Sequence, residues 1–317
     1  MKLVSSRRLF CTSLVATTAW GLVACGGDDG GGTPTPEGEH YTMAVDSVTT
    51  PASVSQANEY GLDLDGDGNK DNQLGMVLSV LGGMGLEVQP ALTEAIDQGS
   101  VVLLADVQTT SFTSTAAAGL SVYLGANPSP APCVDENDMT CRLHLAGTGS
   151  FDISADSPTD TTLAGPFVNG TFRGGPGTIT LQLALTDAPA ISLNLIGARA
   201  QLSDVSATGI GEGILAGAIT EDDINNEVLP AVTTLVAGLV AEDCTPAGAD
   251  CGCTPDSSGE GVLDLFDDNM DCEITLAEIQ GNAIVGSLLA PDVVINGEPS
   301  LSLGVGMTAV AGTFTLP

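Results

Sequence analysis

The strongest constraint on the fold is a strict alternation of side chains on either side of one turn. In residues 178–185, Ile179, Leu181, Leu183 and Leu185 alternate with Thr and Gln, and Ile191, Leu193 and Leu195 alternate again after Asp187-Ala188-Pro189. A period of two places every second side chain on one face, so this stretch predicts paired antiparallel strands with one buried and one wet face. Gly174-Gly175-Pro176-Gly177 turns the chain before them. Val101–Val107 and Leu120–Leu124 are further strand candidates. Arg142–Leu145 leads across Gly147 and Gly149 to Phe151 and Ile153, with His144 on a polar strand face beside Arg142. Leu301, Leu303 and Val305 alternate within 293–316. Aromatics are 3% of the chain, so the core has to be aliphatic.

Helical spacing frames these strands. Leu74, Val77, Leu78 and Leu81 recur at a helical period until Gly82, and Pro90 opens a second helix with Leu92, Ala95 and Ile96 on one face and Gly99 as its stop. Thr220 reads as an N-cap ahead of Ile224, Val228, Val232, Leu235 and Leu239, with Pro230 as a kink before Val240.

Two acidic stretches follow a calcium-loop spacing. In 266–280, FDDNMDCEITLAEIQ, oxygen-bearing side chains fall at loop positions 1, 3 and 5 as Asp267, Asn269 and Asp271. Glu273 is at position 7, apolar Ile274 at 8, Thr275 at 9 and Glu278 at 12. Calcium takes six to eight oxygens, and a bidentate Glu at position 12 closes that shell. Over about 258–290 the chain resembles the EF-hand family, with Val262, Leu263 and Phe266 on the buried face of the incoming helix. It departs at position 6, where the family has Gly and this chain has Cys272; a left-handed backbone there costs a non-Gly residue about 1 kcal/mol. In 60–75, YGLDLDGDGNKDNQLG, Asp63, Asp65, Asp67, Asn69 and Asp71 occupy positions 1, 3, 5, 7 and 9, with Gly68 at 6. This is similar to the loops of dockerins and thrombospondin type 3 repeats. Here Lys70 at position 8 is atypical and Leu74 stands where the closing ligand would be, so a distant carboxylate or water has to complete the shell. Both resemblances imply Ca²⁺ as the bound ion.

The first 24 residues have the pattern of a signal peptide: Lys2, Arg7 and Arg8, then a mostly apolar run from Leu9 to Val23, and no acid. Leu22-Val23-Ala24-Cys25 resembles a bacterial lipobox, and Ser6-Arg7-Arg8-Leu9-Phe10 the twin-arginine export motif. The resemblance implies lipid on Cys25 and an outer-membrane lipoprotein facing the periplasm or the cell surface. Residues 25–40, rich in Gly, Pro, Thr and acids, read as a flexible tether that ends at a solvated His40. Residues 41–317 then form a single domain.

Of eight cysteines, Cys11 leaves with the signal peptide and Cys25 takes the lipid. The other six sit in an oxidising compartment, which predicts disulfides. Cys133 and Cys141 bracket a loop and clip it shut. A Cys251–Cys253 bridge would be strained. That leaves Cys244–Cys251 with Cys253–Cys272, or Cys244–Cys253 with Cys251–Cys272; a four-Cys zinc site is the alternative.

The resulting expectation is an α+β fold: a mainly antiparallel β-sheet meander flanked by helices, with a C-terminal disulfide-stapled segment like an EF-hand. The 40 acids all follow the signal peptide, where Lys70, Arg142, Arg173 and Arg199 are the only bases. This charge excludes nucleic acid as a partner and makes cation binding physically expected. Motifs for serine, zinc-dependent, phosphate-binding and dinucleotide chemistry are absent. The sequence therefore predicts a lipid-anchored calcium-binding module rather than an enzyme, contacting the membrane through its anchor. The alternatives are a periplasmic carrier of apolar or lipid molecules and a calcium-dependent hydrolase; the protein or lipid partner is left open.

Overall fold

The computed structural model describes residues 34–83, 88–133, 141–184, 190–245 and 251–317, and Thr33–Pro317 form one compact unit. The expected signal peptide, Cys25 and the expected tether up to residue 33 lie outside the described residues, as do Leu185 and the turn expected at 187–189.

Among the described residues ten strands run β1 (Glu39–Thr49), β2 (Leu103–Thr109), β3 (Ser114–Ser129), β4 (Gly149–Ile153), β5 (Thr162–Val168), β6 (Thr171–Leu183), β7 (Ile191–Ser206), β8 (Gly209–Thr220), β9 (Val293–Ile295) and β10 (Glu298–Thr313). The class is α+β with mostly antiparallel pairing. The expected antiparallel meander is present, and in addition it closes on itself. Neighbours pair antiparallel in the order β1-β2-β3-β5-β6-β7-β8-β10, and β10 returns to β1, where Met43 faces Ala311 and Thr49 faces Gly306. The result is an eight-stranded barrel. β4 is an outlier that bridges β3 and the end of β10, and β9 flanks the start of β10. Closure leaves no long open edge among the eight barrel strands.

The alternation at 178–195 predicts the barrel interior well. Ile179, Leu181, Leu193 and Leu195 are at most 1% exposed, while Thr178, Ser192 and Asn194 face water. Apolar-in and polar-out is the reverse of a membrane-spanning barrel. At the end opposite the Leu183–Ile191 pair, Phe167 lies 5.4 Å from Phe172 and 6.1 Å from Phe112. Arg142–Leu145 is not a strand: Leu143–Leu145 form a 3-10 turn entered through Arg142 at φ 68°, and His144 is buried against Phe151.

Every described helix longer than a single turn belongs to one of two excursions. Between β1 and β2 come α1 (Val54–Tyr60), α2 (Gln73–Gly83) and α3 (Val88–Asp97). Between β8 and β10 come α4 (Glu221–Asp223), a π-helical turn (Ile224–Val228), α5 (Leu229–Asp243), α6 (Ser258–Phe266), α7 (Leu276–Gly281) and α8 (Ala283–Leu288). Thr220 caps α4 by accepting the Asp223 N–H at 3.2 Å. Pro230, which lacks an N–H, sits in the first turn of α5 directly after the π-helical turn. Thr49 pairs with Gly306, and Thr220 with Ser300. Both excursions therefore leave the barrel at the same end, which is also where the β6–β7 connection lies, next to the Leu183–Ile191 pair.

Candidate metal centres and an apolar cavity

The two acidic loops share one backbone design despite different sequences. At position 1, Asp63 accepts the N–H of Gly68 at 3.1 Å and Asp267 accepts that of Cys272 at 2.9 Å. At position 3, Asp65 and Asn269 accept the N–H groups of Asp67 and Asp271, at 3.1 and 2.9 Å. At position 5, Asp67 and Asp271 accept those of Asn69 and Glu273, at 2.7 and 3.0 Å. Positions 4 and 6 have positive φ in both: 86° at Gly66 and 60° at Met270, then 89° at Gly68 and 68° at Cys272. Cys272 thus holds the left-handed conformation that Gly supplies at no steric cost.

The disulfides explain how it is held there. The bonds are Cys133–Cys141, Cys244–Cys253 and Cys251–Cys272, the second of the two pairings left open above. Cys251 anchors the loop at position 6. With these six sulfurs bonded in pairs, no thiolate among them is left for zinc.

Three carboxylates converge in each loop, with ligand oxygens within 4.8 Å of one another: Asp63, Asp65 and Asp71 in the first, and Asp267, Asp271 and Glu278 in the second. The carboxylates of Asp67 and Glu273 lie outside these groups, and Asn69 donates its side-chain amide to Asp67. Position 7, held by Asn69 and Glu273, contributes a backbone carbonyl in such loops. Thr275 uses its hydroxyl on Glu278 Oε2 at 2.8 Å and caps α7. That leaves Glu278 Oε1 buried with no hydrogen-bond partner, as suits an oxygen that completes a cation shell.

Electrostatics in the first loop follow from crowding. Hydrogen bonds from the Asn69 backbone and side chain hold the Asp67 carboxyl below its ordinary value. Burial pushes Asp71 up, opposed by the Leu64 N–H and reinforced by Asp65, Asp292 and Asp67. Asp292 is the outside carboxylate nearest in effect, but both its oxygens are engaged by Ser302. Lys70 at position 8 serves the structure: its ammonium donates to the carbonyls of Asn58 and Glu59 and caps the end of α1. His40, expected in the tether, is in β1 and bonds the buried Asp106 at 2.7 Å.

The helices at the barrel's end enclose a cavity of about 410 Å³ that the residue spacing did not announce. Among the described residues it is lined by α2, α5, α6 and α8, with Val88 of α3, Val228 of the π-helical turn, and Leu183, Ile191 and Leu193 of β6 and β7. Every described lining side chain is aliphatic except Phe266. A sequence signal did exist. The run Glu221–Asp243 is 23 residues long and apolar enough to cross a membrane by length and composition, yet only 28% of its apolar window is buried. A helix apolar on nearly all sides is normally fully covered. A larger groove of about 810 Å³ over α1 and α3 is lined in part by Gln89, whose amide is taken up by Thr50 and Val48.

Comparison with family models, with curated proteins and with solved structures finds no match for this chain, so function has to be argued from these sites.

Proposed function

We propose that this chain is an exported lipoprotein, anchored by lipid on Cys25, whose body is a binding module of the cell envelope ordered by Ca²⁺ at the 63–71 and 267–278 loops. The observation that carries this reading is the shared geometry of the two loops: converging carboxylates on matching left-handed turns, in a chain of 40 acids and 7 bases. Bound cations would favour the ionised form of Asp71 against the burial that raises it and the repulsion from Asp65, Asp292 and Asp67 that adds to it. Sites of the extracellular type bind at about 10⁻⁴–10⁻³ M, so at about 2 mM calcium each contributes on the order of 1–2 kcal/mol. The test is the melting temperature of the Thr33–Pro317 body in calcium and in chelator. A rise of several degrees with calcium supports the reading; identical melting curves would sink it.

A second reading, a carrier of apolar or lipid molecules, is favoured by the cavity. Extraction of the purified body and mass spectrometry of the extract test it: reproducible lipid in stoichiometric amount supports a carrier, and its absence counts against one.

A further inference from the structure

We propose that the cavity at the helical end of the barrel binds a single uncharged aliphatic chain, acyl or isoprenoid, tail inward. The inference rests on the carrier reading and names its ligand class.

Three observations carry it. First, among the described residues the lining holds no polar or charged side chain. A polar group brought inside would lose its water with nothing to replace it, so only a hydrocarbon tail fits there and the head stays at the mouth. Second, the volume of about 410 Å³ falls near the lower end of small-molecule pockets, roughly 300–1,000 Å³. That suits one chain better than a two-tailed phospholipid. Third, the walls are apolar surface without enough protein to cover them. Val80 and Ile284 line the cavity and are 49% and 50% exposed, which marks its mouth on α2 and α8. An apolar void forfeits packing in proportion to its size, and a hydrocarbon occupant restores it.

The character of the head follows from charge. Among the described residues no Lys or Arg lines the cavity, and acids adjoin its walls in the chain, Asp264 before Leu265 and Glu227 before Val228. Within a body this acidic, a carboxylate or phosphate at the mouth is repelled, whereas an alcohol or ester is not.

The experiment uses the Thr33–Pro317 body, a compact unit, stripped of lipid on a hydrophobic resin without detergent. Straight-chain alcohols from octanol to tetradecanol are titrated by calorimetry. Affinity should rise about fourfold per methylene and level off once the cavity is full. Val232→Trp on α5 fills the space and should weaken dodecanol binding about tenfold or more without lowering the melting temperature. Leu81→Phe, on the facing α2 wall, is the second variant should the first misfold. Dodecanoate should bind at least about tenfold more weakly than dodecanol at low salt, with the gap narrowing as salt is added.

Equal affinity for dodecanoate and dodecanol overturns the uncharged head. Binding left unchanged in both folded variants overturns the cavity assignment while the carrier reading stands. Failure of every alcohol to bind, together with no extractable lipid in the purified body, overturns both.

Discussion

Replacing Asn72 with Ala should destabilise the body by about 3 kcal/mol, because this one amide stands in for a missing strand. β1 leaves the barrel after Thr49 pairs with Gly306, so the next outward-facing backbone groups of β10, on Gly304, have no partner strand. Asn72, 4% exposed, supplies one: its Nδ2 donates to the Gly304 carbonyl at 3.0 Å, and its Oδ1 accepts the Gly304 N–H at 2.7 Å. The same amide donates to the Ala57 carbonyl in α1 and accepts the Gly75 N–H at the start of α2, each at 3.0 Å. The approach is so close that a Cβ on Gly304 would collide with the Tyr60 carbonyl oxygen. Truncation strands four buried groups at about 1–3 kcal/mol each, reduced where water enters. A net loss of about 2–4 kcal/mol is expected, which for a chain of this size lowers the melting temperature by about 4–10 °C. Differential scanning calorimetry of parent and variant in calcium measures it. Asn72→Asp, which keeps both acceptor roles and loses both donor roles, should be destabilised as well. A loss below about 1 kcal/mol for Asn72→Ala would show that water replaces the amide freely and refute the missing-strand argument.

Other outcomes follow from the same geometry. Glu278→Gln should remove part of the calcium-dependent rise in melting temperature while leaving the chelated protein within about 1 kcal/mol of the parent, since Gln retains an acceptor for the Thr275 cap; an undiminished calcium response would show that Glu278 is no ligand. Replacing the Cys251–Cys272 bond by Ala at both positions should cost about 2–4 kcal/mol, and combining Cys251→Ala with Cys272→Gly instead should recover about 1 kcal/mol of it, because Gly adopts the left-handed turn freely; equal melting of the two double variants would remove the strain argument at position 6. Burial raises the Asp106 carboxyl, opposed by His40. Its folded value therefore lies above its unfolded one, the native state holds the extra proton between them, and stability falls as pH rises through that window; Asp106→Asn should flatten this part of a stability-versus-pH curve. Burial lowers His144, so its contribution is lost as pH falls below the ordinary histidine value, and His144→Phe should melt less steeply with acid than the parent. Finally, calcium titrations with and without dodecanol should show affinities that differ, and the alcohol's affinity should change by the same factor.

The parts of the fold written as local periodicity were legible. Period two on 178–195 predicts the β6–β7 pair and its buried face, and Leu92, Ala95 and Ile96 form the buried face of α3. The Thr220 cap and the two acidic loops are likewise local chemistry. What was hidden is what partners decide. β1 buries Met43, Ala44 and Val45 in succession, on both faces, because the barrel lies on one side and other elements cover the other, so no alternation marks it. β8 is punctuated by Gly209, Gly211, Gly213 and Gly217, which leave few side chains to alternate; a Cβ on Gly217 would meet that of Leu195 at 2.7 Å, so close strand packing sets its composition. Without β1 and β8 the closure of the meander could not be derived. His144 was misplaced for a similar reason, since a histidine between Leu residues fits a strand face until the chain turns at Arg142. The cavity belongs to no single segment and exists only because two distant excursions leave one end of the barrel.

That shared end gives the two sites a physical connection. The first loop finishes at Asp71, and α2, which carries Leu74, Val77 and Leu81 into the cavity wall, begins two residues later at Gln73. The second loop starts directly after Phe266, the end of the α6 wall, and leads through α7 to α8, which supplies Val285 and Leu288. Three of the four walls are therefore spliced to an acidic loop, and the fourth, α5, is bonded to the same unit through Cys244–Cys253. Carboxylates that repel one another in a loop splay its ends; a cation among them draws those ends to a fixed spacing. In this molecule the ends of the loops are the ends of the wall helices, so under the proposed calcium binding the volume and the mouth of the cavity would depend on how the acids are neutralised. On that proposal the −33 charge of the chain would make an apolar cavity sensitive to the divalent cation content of its surroundings, and the paired calcium and dodecanol titrations test it.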